Sequence, residues 1–252
     1  MNAYLAEFIG TAILLLLGNG AVANVLLTRS KGHGSGWIVI AAGWGIAVFV
    51  GAFCSKQYSG AHLNPAVSMA MLWANELVWQ EFLGYVACQL AGAMLGAGLV
   101  YAFYSEHYKL TDDSDVKLAT FCTAPAVHHL PQAFFCEAVA TFALILPIFL
   151  MADPQLQLPG TLTLTPSTDL PRLGLGTLGL LPVGLLVFGI GLSLGGTTGY
   201  AINPARDLGP RIVHWLLPVP EKRDSDWGYA WVPVLGPLTG GVLAALTYHW
   251  LM

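Results

Sequence analysis

The sequence is poor in charge. Only 10% of its 252 residues are Asp, Glu, Lys or Arg, while 56% are hydrophobic. Ordinary soluble domains carry about 25% charged residues. A soluble fold of this length needs more polar surface than this, so a membrane-embedded class follows. The net charge of −4 is small and scattered, and without a basic patch a nucleic-acid partner is not expected. The four cysteines, Cys54, Cys88, Cys122 and Cys136, are widely spaced with no CxxC pair, so no metal site and no cofactor is expected. Neither a Ser–His–acid arrangement nor a phosphate-binding glycine loop is visible, which leaves an enzyme without support. The N-terminus, MNAYLAEFIG, lacks a basic region and carries Glu7 inside its apolar stretch. It reads as a retained first membrane span rather than a cleaved signal. No regulatory tail is expected at either end.

What the sequence has instead is long apolar runs. A bilayer core of ~30 Å needs about twenty apolar residues in helical form. Six stretches meet that demand, roughly 4–27, 37–55, 80–103, 131–152, 174–195 and 229–251. Nearly all the charge and proline fall between them: RSKGHGSG at 29–36, SEHYKLTDDSDVK at 105–117, the proline-bearing stretch 153–172, and PVPEKRDSD at 218–226. None of these connections is long enough for a second domain, so residues 1–252 are read as one.

Two helical segments, PAVSMAMLWANEL at 65–77 and PARDLGPRIVHWLL at 204–217, are too short to span. Each opens with proline, which suits the first position of a helix because its missing N–H has no partner there anyway. Asparagine, a favoured N-cap, precedes each. Half-length helices entered by irregular backbone are tolerated at membrane depth only when buried in protein or lining a watery cavity.

The chain also repeats itself. SGAHLNPAV at 59–67 and TGYAINPAR at 198–206 align without gaps at an offset of 139, where Gly45 also matches Gly184 and Phe49 matches Phe188. Both halves, approximately 1–104 and 131–252, open with a glutamate in an apolar helix, Glu7 in AEFIGT and Glu137 in CEAVAT. Three spans per half is an odd number, so the halves insert with opposite orientations. Solute sites tend to form where such inverted repeats meet. The expected fold is an all-α membrane protein, with six transmembrane helices and two re-entrant half-helices in an inverted repeat.

At Asn64-Pro65-Ala66 and Asn203-Pro204-Ala205 the sequence resembles the aquaporin, or major intrinsic protein, family along its whole length. One NPA tripeptide carries no weight, but two in inverted halves with matching flanks are specific. The closer likeness is to the glycerol-conducting branch. Asp207 directly after NPAR, followed by Arg211, together with Tyr104 and Pro233-Val234, is similar to that branch. The resemblance implies a single channel domain whose narrowest part is built from Trp44, Gly191, Tyr200 and Arg206. Water-selective members typically place a histidine where this chain has Gly191. The best-known bacterial facilitator pattern has phenylalanine at the place of Tyr200, a departure that bears on rate and solute but not on class.

The mechanism implied is passive permeation of glycerol and related small neutral polyols, with some water, and exclusion of protons and ions. Polyol hydroxyls must exchange water for protein hydrogen bonds, since an unpaired one costs roughly 2–7 kcal/mol. Trp44 and Tyr200 would take the carbon edge while the planar fork of Arg206 donates to neighbouring hydroxyls. Asn64 and Asn203 would donate in the middle. Carbonyls of Gly60, Ala61, His62, Leu63 and of Gly199, Tyr200, Ala201, Ile202 would accept on either side. The half-helix dipoles and Arg206 would repel cations. A homotetramer among membrane lipids, in the cell (inner) membrane, is the assembly the resemblance implies. The small-residue run AGAMLGAG at 91–98 permits close helix packing, within one subunit or between two.

Alternatives are a water-selective channel of the same fold and, more remotely, a proton-coupled transporter using Glu7 and Glu137. The structural reading of the glutamates, each accepting backbone N–H groups of a re-entrant loop, is preferred, because no second ionisable relay accompanies them. His62 is read as bracing its loop, with only its carbonyl toward solute. Trp37, Trp73, Trp79, Trp215, Trp227, Trp231 and Trp250 read as an interfacial belt. Charge conflicts with the family's topology, in which both termini are cytoplasmic. On that topology only Lys56 and Arg172 lie inside, whereas Arg29, Lys31, Lys109, Lys117, Lys222 and Arg223 lie outside.

Overall fold

The computed structural model describes residues 1–151, 155–156, 173–174 and 176–252. Its helices are α1 (Ala3–Leu26), α2 (Trp37–Ser59), α3 (Pro65–Trp73), α4 (Trp79–Phe103), α5 (Ser105–Leu110), α6 (Ser114–Ala119), α7 (Leu130–Leu150), α8 (Leu181–Ser193), α9 (Pro204–Leu216) and α10 (Val232–Leu251). Four of them, α1, α2, α4 and α7, are individually long and apolar enough to cross a bilayer. α10 has the length but is diluted by Pro237, Thr239, Thr247 and His249. The only strand pairing among the described residues joins Gln155–Leu156 antiparallel to Leu173–Gly174. The rest of the expected 153–172 connection lies outside the described residues.

Local sequence sets the helix ends. Asn2 caps α1 by accepting the Leu5 N–H at 2.8 Å, and α2 stops where Gly60 takes a left-handed φ of 84°. Two expectations need correction. The fifth span begins as a 3₁₀ turn at Gly176–Leu180 and becomes α-helical only at Leu181, where Pro182 fits the first turn. The stretch 105–117, expected as a connection between spans, continues into residues 118–119 and folds into α5 and α6. Its apolar residues Tyr108 and Leu118 are buried with Phe121 and Cys122 against α1 and α4, a pattern that the surrounding charges hide.

Several cations counted in the outer loops serve as local braces. Lys117 is buried and donates to the Pro220 carbonyl at 2.6 Å. Lys222 donates to the carbonyls of His214, Trp215 and Leu217, closing the end of α9. Arg223 pairs with Asp115, and Lys109 pairs with Glu106. Much of the positive charge in these connections is therefore engaged by the fold.

The halves interlock. α1 packs on α2 and α4, α7 packs on α10, and α2 crosses α8. Each half-helix sits against the last span of the opposite half, α3 on α10 and α9 on α4. Glycines at these crossings bring backbones into contact. A methyl group on Gly45 would lie 2.6 Å from the Gly184 carbonyl oxygen, and one on Gly184 would lie 2.8 Å from that of Gly45. Gly92 and Gly96 press on the backbone of α1 at Phe8 and Ala12, so that part of the 91–98 run is spent inside the chain.

Gly45→Ala or Gly184→Ala should therefore lower stability by about 1–3 kcal/mol through overpacking. Gly98→Ala, whose methyl meets nothing within 4 Å, should be neutral or stabilising. Thermal unfolding of detergent-purified variants provides the comparison.

Candidate functional site: a cavity between two half-helices

A cavity of about 570 Å³ runs past the place where α3 and α9 meet end to end. Both half-helices begin alike. Asn64 accepts the Ala66 N–H at 2.8 Å, and Asn203 accepts those of Ala205 and Arg206 at 3.0 and 3.2 Å. Each side-chain amide then donates across the repeat boundary. Asn64 Nδ2 reaches the Ile202 carbonyl at 2.8 Å, and Asn203 Nδ2 reaches the Leu63 carbonyl at 2.8 Å. This reciprocal pair ties the helix starts together. Both asparagines line the cavity.

The strands of backbone that lead into them are unwound in the same way. Gly60, Ala61 and Leu63 have φ of 84°, 59° and 52°, and Gly199, Tyr200 and Ile202 have 81°, 39° and 45°. Left-handed dihedrals at non-glycine residues cost of order 1–3 kcal/mol each and persist only where the surroundings enforce them. The enforcing groups are the two buried glutamates. Glu7 accepts from Ser59 Oγ (2.6 Å), His62 N (3.0 Å), Leu63 N (2.7 Å) and Gln89 Nε2 (2.7 Å). Glu137 accepts from Thr198 Oγ1 (2.7 Å), Ala201 N (2.9 Å) and Ile202 N (2.9 Å). The matching donors stand at the repeat offset, Ser59 with Thr198, His62 with Ala201 and Leu63 with Ile202.

Two of the expected acceptors are already partly engaged. Leu63 and Ile202 carbonyls each have one lone pair committed to an asparagine. Gly60, Ala61, His62, Tyr200 and Ala201 line the cavity, and their carbonyls accept no protein hydrogen bond among the described residues. A methyl group on Gly199 would lie 3.3 Å from Thr123 Cγ2. The His62 ring lies 3.1 Å from Ser68 Oγ and edge-on to Tyr85.

At one end of the cavity stand Trp44, Tyr200 and Arg206, all lining it. The Arg206 guanidinium stacks over the Trp44 ring, 4.0 Å from its centroid. Among the described residues it makes no hydrogen bond to the protein. Gly18 leaves the space into which the Trp44 ring fits. Gly191 does not line the cavity; a Cβ there would lie 2.9 Å from Tyr200 Cζ and Oη and 3.0 Å from Ala41 Cβ. The place that a side chain at Gly191 would take is thus occupied by the Tyr200 ring. The tyrosine hydroxyl is buried there and has no partner among the described residues.

Asp207 and Arg211 lie behind this end rather than in it. Asp207 Oδ1 accepts from Arg211 Nε at 2.9 Å and NH2 at 2.8 Å, and Oδ2 accepts from Thr123 N and Oγ1 at 2.7 and 2.6 Å. Arg211 continues to the carbonyls of Thr123, Ser225 and Asp226. A buried pair this fully bonded fixes the loops that flank Arg206.

Sequence reasoning missed Gln89, Ser59, Thr198, Gly18 and Trp37. The hydroxyls could have been found, since they begin the two aligned segments. Gln89 and Gly18 carry no local signal, because their partners lie on other helices.

Residues 1–248 match the sequence model of the family described as Major intrinsic protein. The chain belongs to the major intrinsic protein family. It is 48% identical over 251 residues to a probable glycerol uptake facilitator protein of Thermotoga maritima, covering 100% of both chains. It is also 48% identical over 248 residues to a glycerol uptake facilitator protein of Streptococcus pneumoniae, covering 98% of each. The crystal structure of the aquaglyceroporin from Plasmodium falciparum aligns with a TM-score of 0.79 at 32% identity, over 98% of this chain and 94% of that one. The fold is that of an aquaporin, and the chain is an integral membrane channel rather than an enzyme.

Replacing Glu137 by glutamine turns an acceptor of three donors into a group with one acceptor oxygen and an N–H₂ facing them. Charge-assisted bonds are worth about 1.5–3 kcal/mol each, so Glu137→Gln should severely reduce the yield of folded protein, measured by size-exclusion chromatography in detergent. Any folded fraction should conduct solute without dependence on a proton gradient, a dependence that proton coupling requires.

Proposed function

We propose that the protein is a passive channel for glycerol and related small neutral polyols, with some water, that excludes protons and ions. The observation that carries this reading is the amphipathic end of the cavity, where a buried guanidinium with free donors stands beside two aromatic rings. A polyol presents hydroxyls along one edge and carbon along the other. Arg206 donates to neighbouring hydroxyls, while Trp44 and Tyr200 take the C–H edge. Further in, the solute passes the amides of Asn64 and Asn203. Each has one N–H bonded across the boundary, which orients the amide toward the solute. The carbonyls of Ala61, His62, Tyr200 and Ala201 then accept from the moving hydroxyls. Each hydroxyl is thus handed from partner to partner and its desolvation is offset throughout.

The glycerol uptake facilitators of Thermotoga maritima and Streptococcus pneumoniae, at 48% identity, support the same substrate. A water-selective channel is the second reading; the glycine at 191, where water-selective members of the family typically carry histidine, and the names of the relatives above argue against it. The protein acts among lipids of the cell membrane as a homotetramer with one pore per subunit, each pore being complete within its own chain.

Stopped-flow measurement on proteoliposomes tests the substrate. Glycerol should cross much faster than through protein-free vesicles, and sorbitol should not. Equal glycerol rates with and without protein, alongside fast water flow, would establish the water-selective reading instead.

The barrier to cations comes from the positive ends of α3 and α9, which meet at the asparagines, together with Arg206. Arg206→Val removes a full charge from a narrow, poorly solvated place. A proton or small-cation leak above that of the wild type should appear, read as current or pH-dye response under an imposed gradient. A folded, solute-conducting Arg206→Val channel that leaks no more than wild type would leave the exclusion to the half-helix dipoles alone.

A further inference from the structure

We infer that Trp37 is a positioning residue that fixes the Tyr200 ring from behind and so sets the width of the passage beside Arg206. This rests on Tyr200 forming part of the filter.

Trp37 is the first residue of α2 and does not line the cavity. It is 42% exposed, as an interfacial tryptophan would be. Its indole is nevertheless bonded inward, with Nε1 donating to the Gly191 carbonyl at 2.8 Å. Gly191 stands in the last turn of α8, where a helix leaves carbonyls without intrahelical partners. Leu194 N goes to the Ile190 carbonyl and Gly199 N to that of Gly195. Among the described residues no backbone N–H reaches Gly191, so the indole is what satisfies that carbonyl.

The same indole meets Tyr200 edge to face, with centroids 5.9 Å apart and planes at 73°. Both rings rest on one pair of glycines. A Cβ on Gly195 would lie 2.6 Å from Tyr200 Cδ1 and 2.8 Å from Trp37 Cζ2, while one on Gly191 would meet the Tyr200 hydroxyl end at 2.9 Å. Among the described residues the Tyr200 side chain has no hydrogen bond of its own to hold it, since its hydroxyl is buried and unpartnered there. Its side-chain orientation therefore depends on packing alone. The glycine floor limits it on one side, and Trp37, anchored to that floor through the Gly191 carbonyl, limits it on another. A ring held only by shape moves when its support is removed. Movement of this ring changes the bore of the cavity that it lines together with the arginine.

The test is a size series in proteoliposomes: water, glycerol, erythritol and xylitol, through wild type, Trp37→Phe and Trp37→Ala. Trp37→Phe keeps an aromatic edge and loses the donor; Trp37→Ala loses both. The erythritol-to-glycerol permeability ratio should change about three- to tenfold in Trp37→Ala, the range that one neutral hydrogen bond spans, and by less in Trp37→Phe. A merely structural role would lower all fluxes in proportion and leave the ratio where it is. An unchanged ratio in both variants overturns the inference. Tyr200→Ala, run alongside, separates two kinds of failure. If Tyr200→Ala shifts the ratio and the Trp37 variants do not, Trp37 does not position the ring. If Tyr200→Ala leaves the ratio unchanged as well, Tyr200 is not part of the filter, and both readings fall together. Should Trp37→Ala fold too poorly to reconstitute, Trp37→Phe decides, with any reproducible shift in ratio supporting the inference and none overturning it.

Discussion

A helix that stops halfway across a membrane leaves its first N–H groups, and the carbonyls of the chain leading into it, where no bulk water can reach them. Two such helices end at the same place here, and most of the architecture around them answers that problem. The asparagines cap their own helices and donate to the opposite entry strand, so each half completes the hydrogen bonding of the other. The glutamates collect the N–H groups of the unwound residues and hold them in left-handed conformations. Neither half is satisfied alone. The inverted repeat is a requirement of the backbone as much as a record of sequence similarity.

Solute conduction uses what that arrangement leaves over. Once the glutamates have taken the N–H groups, carbonyls between Gly60 and Ala201 remain as acceptors along the cavity, and the asparagine amides retain their second N–H as donors. The ionisable pair behind the cavity serves another task. Asp207 and Arg211 satisfy each other and stitch the 123 and 225–226 segments to α9. Arg206, one residue before Asp207, keeps its donors free of protein partners among the described residues and lies beside the cavity. Its partner is the face of Trp44, which attracts the charge without using any N–H.

Glycine does a second kind of work here. Gly45 and Gly184 let α2 and α8 cross with backbone in contact, close to the axis relating the halves. Gly18 accepts the ring of Trp44, and Gly191 with Gly195 forms the floor under Tyr200. The aromatic end of the cavity is shaped from behind by missing side chains. This explains how rings as large as Trp and Tyr fit beside the cavity without filling it.

Some of this was legible in the sequence because its signals are local or repeated. Hydropathy marked the spans, Asn-Pro marked the half-helix starts, and the offset of 139 marked the inverted halves. Glu7 and Glu137 were visible as charges that an apolar helix does not tolerate without partners. The short helices in 105–119 were not legible, since their few buried apolar residues are embedded among charges that serve as caps and pairs. The start of the fifth span was misplaced because apolar composition extends through the 3₁₀ turn that precedes α8. The order of the spans, the two re-entrant loops and the membrane class were thus determined by the sequence alone, through periodicity, capping and the cost of charge in a bilayer. Tertiary structure alone decided which carbonyls stay free, where the Tyr200 ring lies, and that Trp37 and Gln89 reach the site from α2 and α4. Those outcomes depend on distances between helices far apart in the chain, which no local pattern of residues encodes.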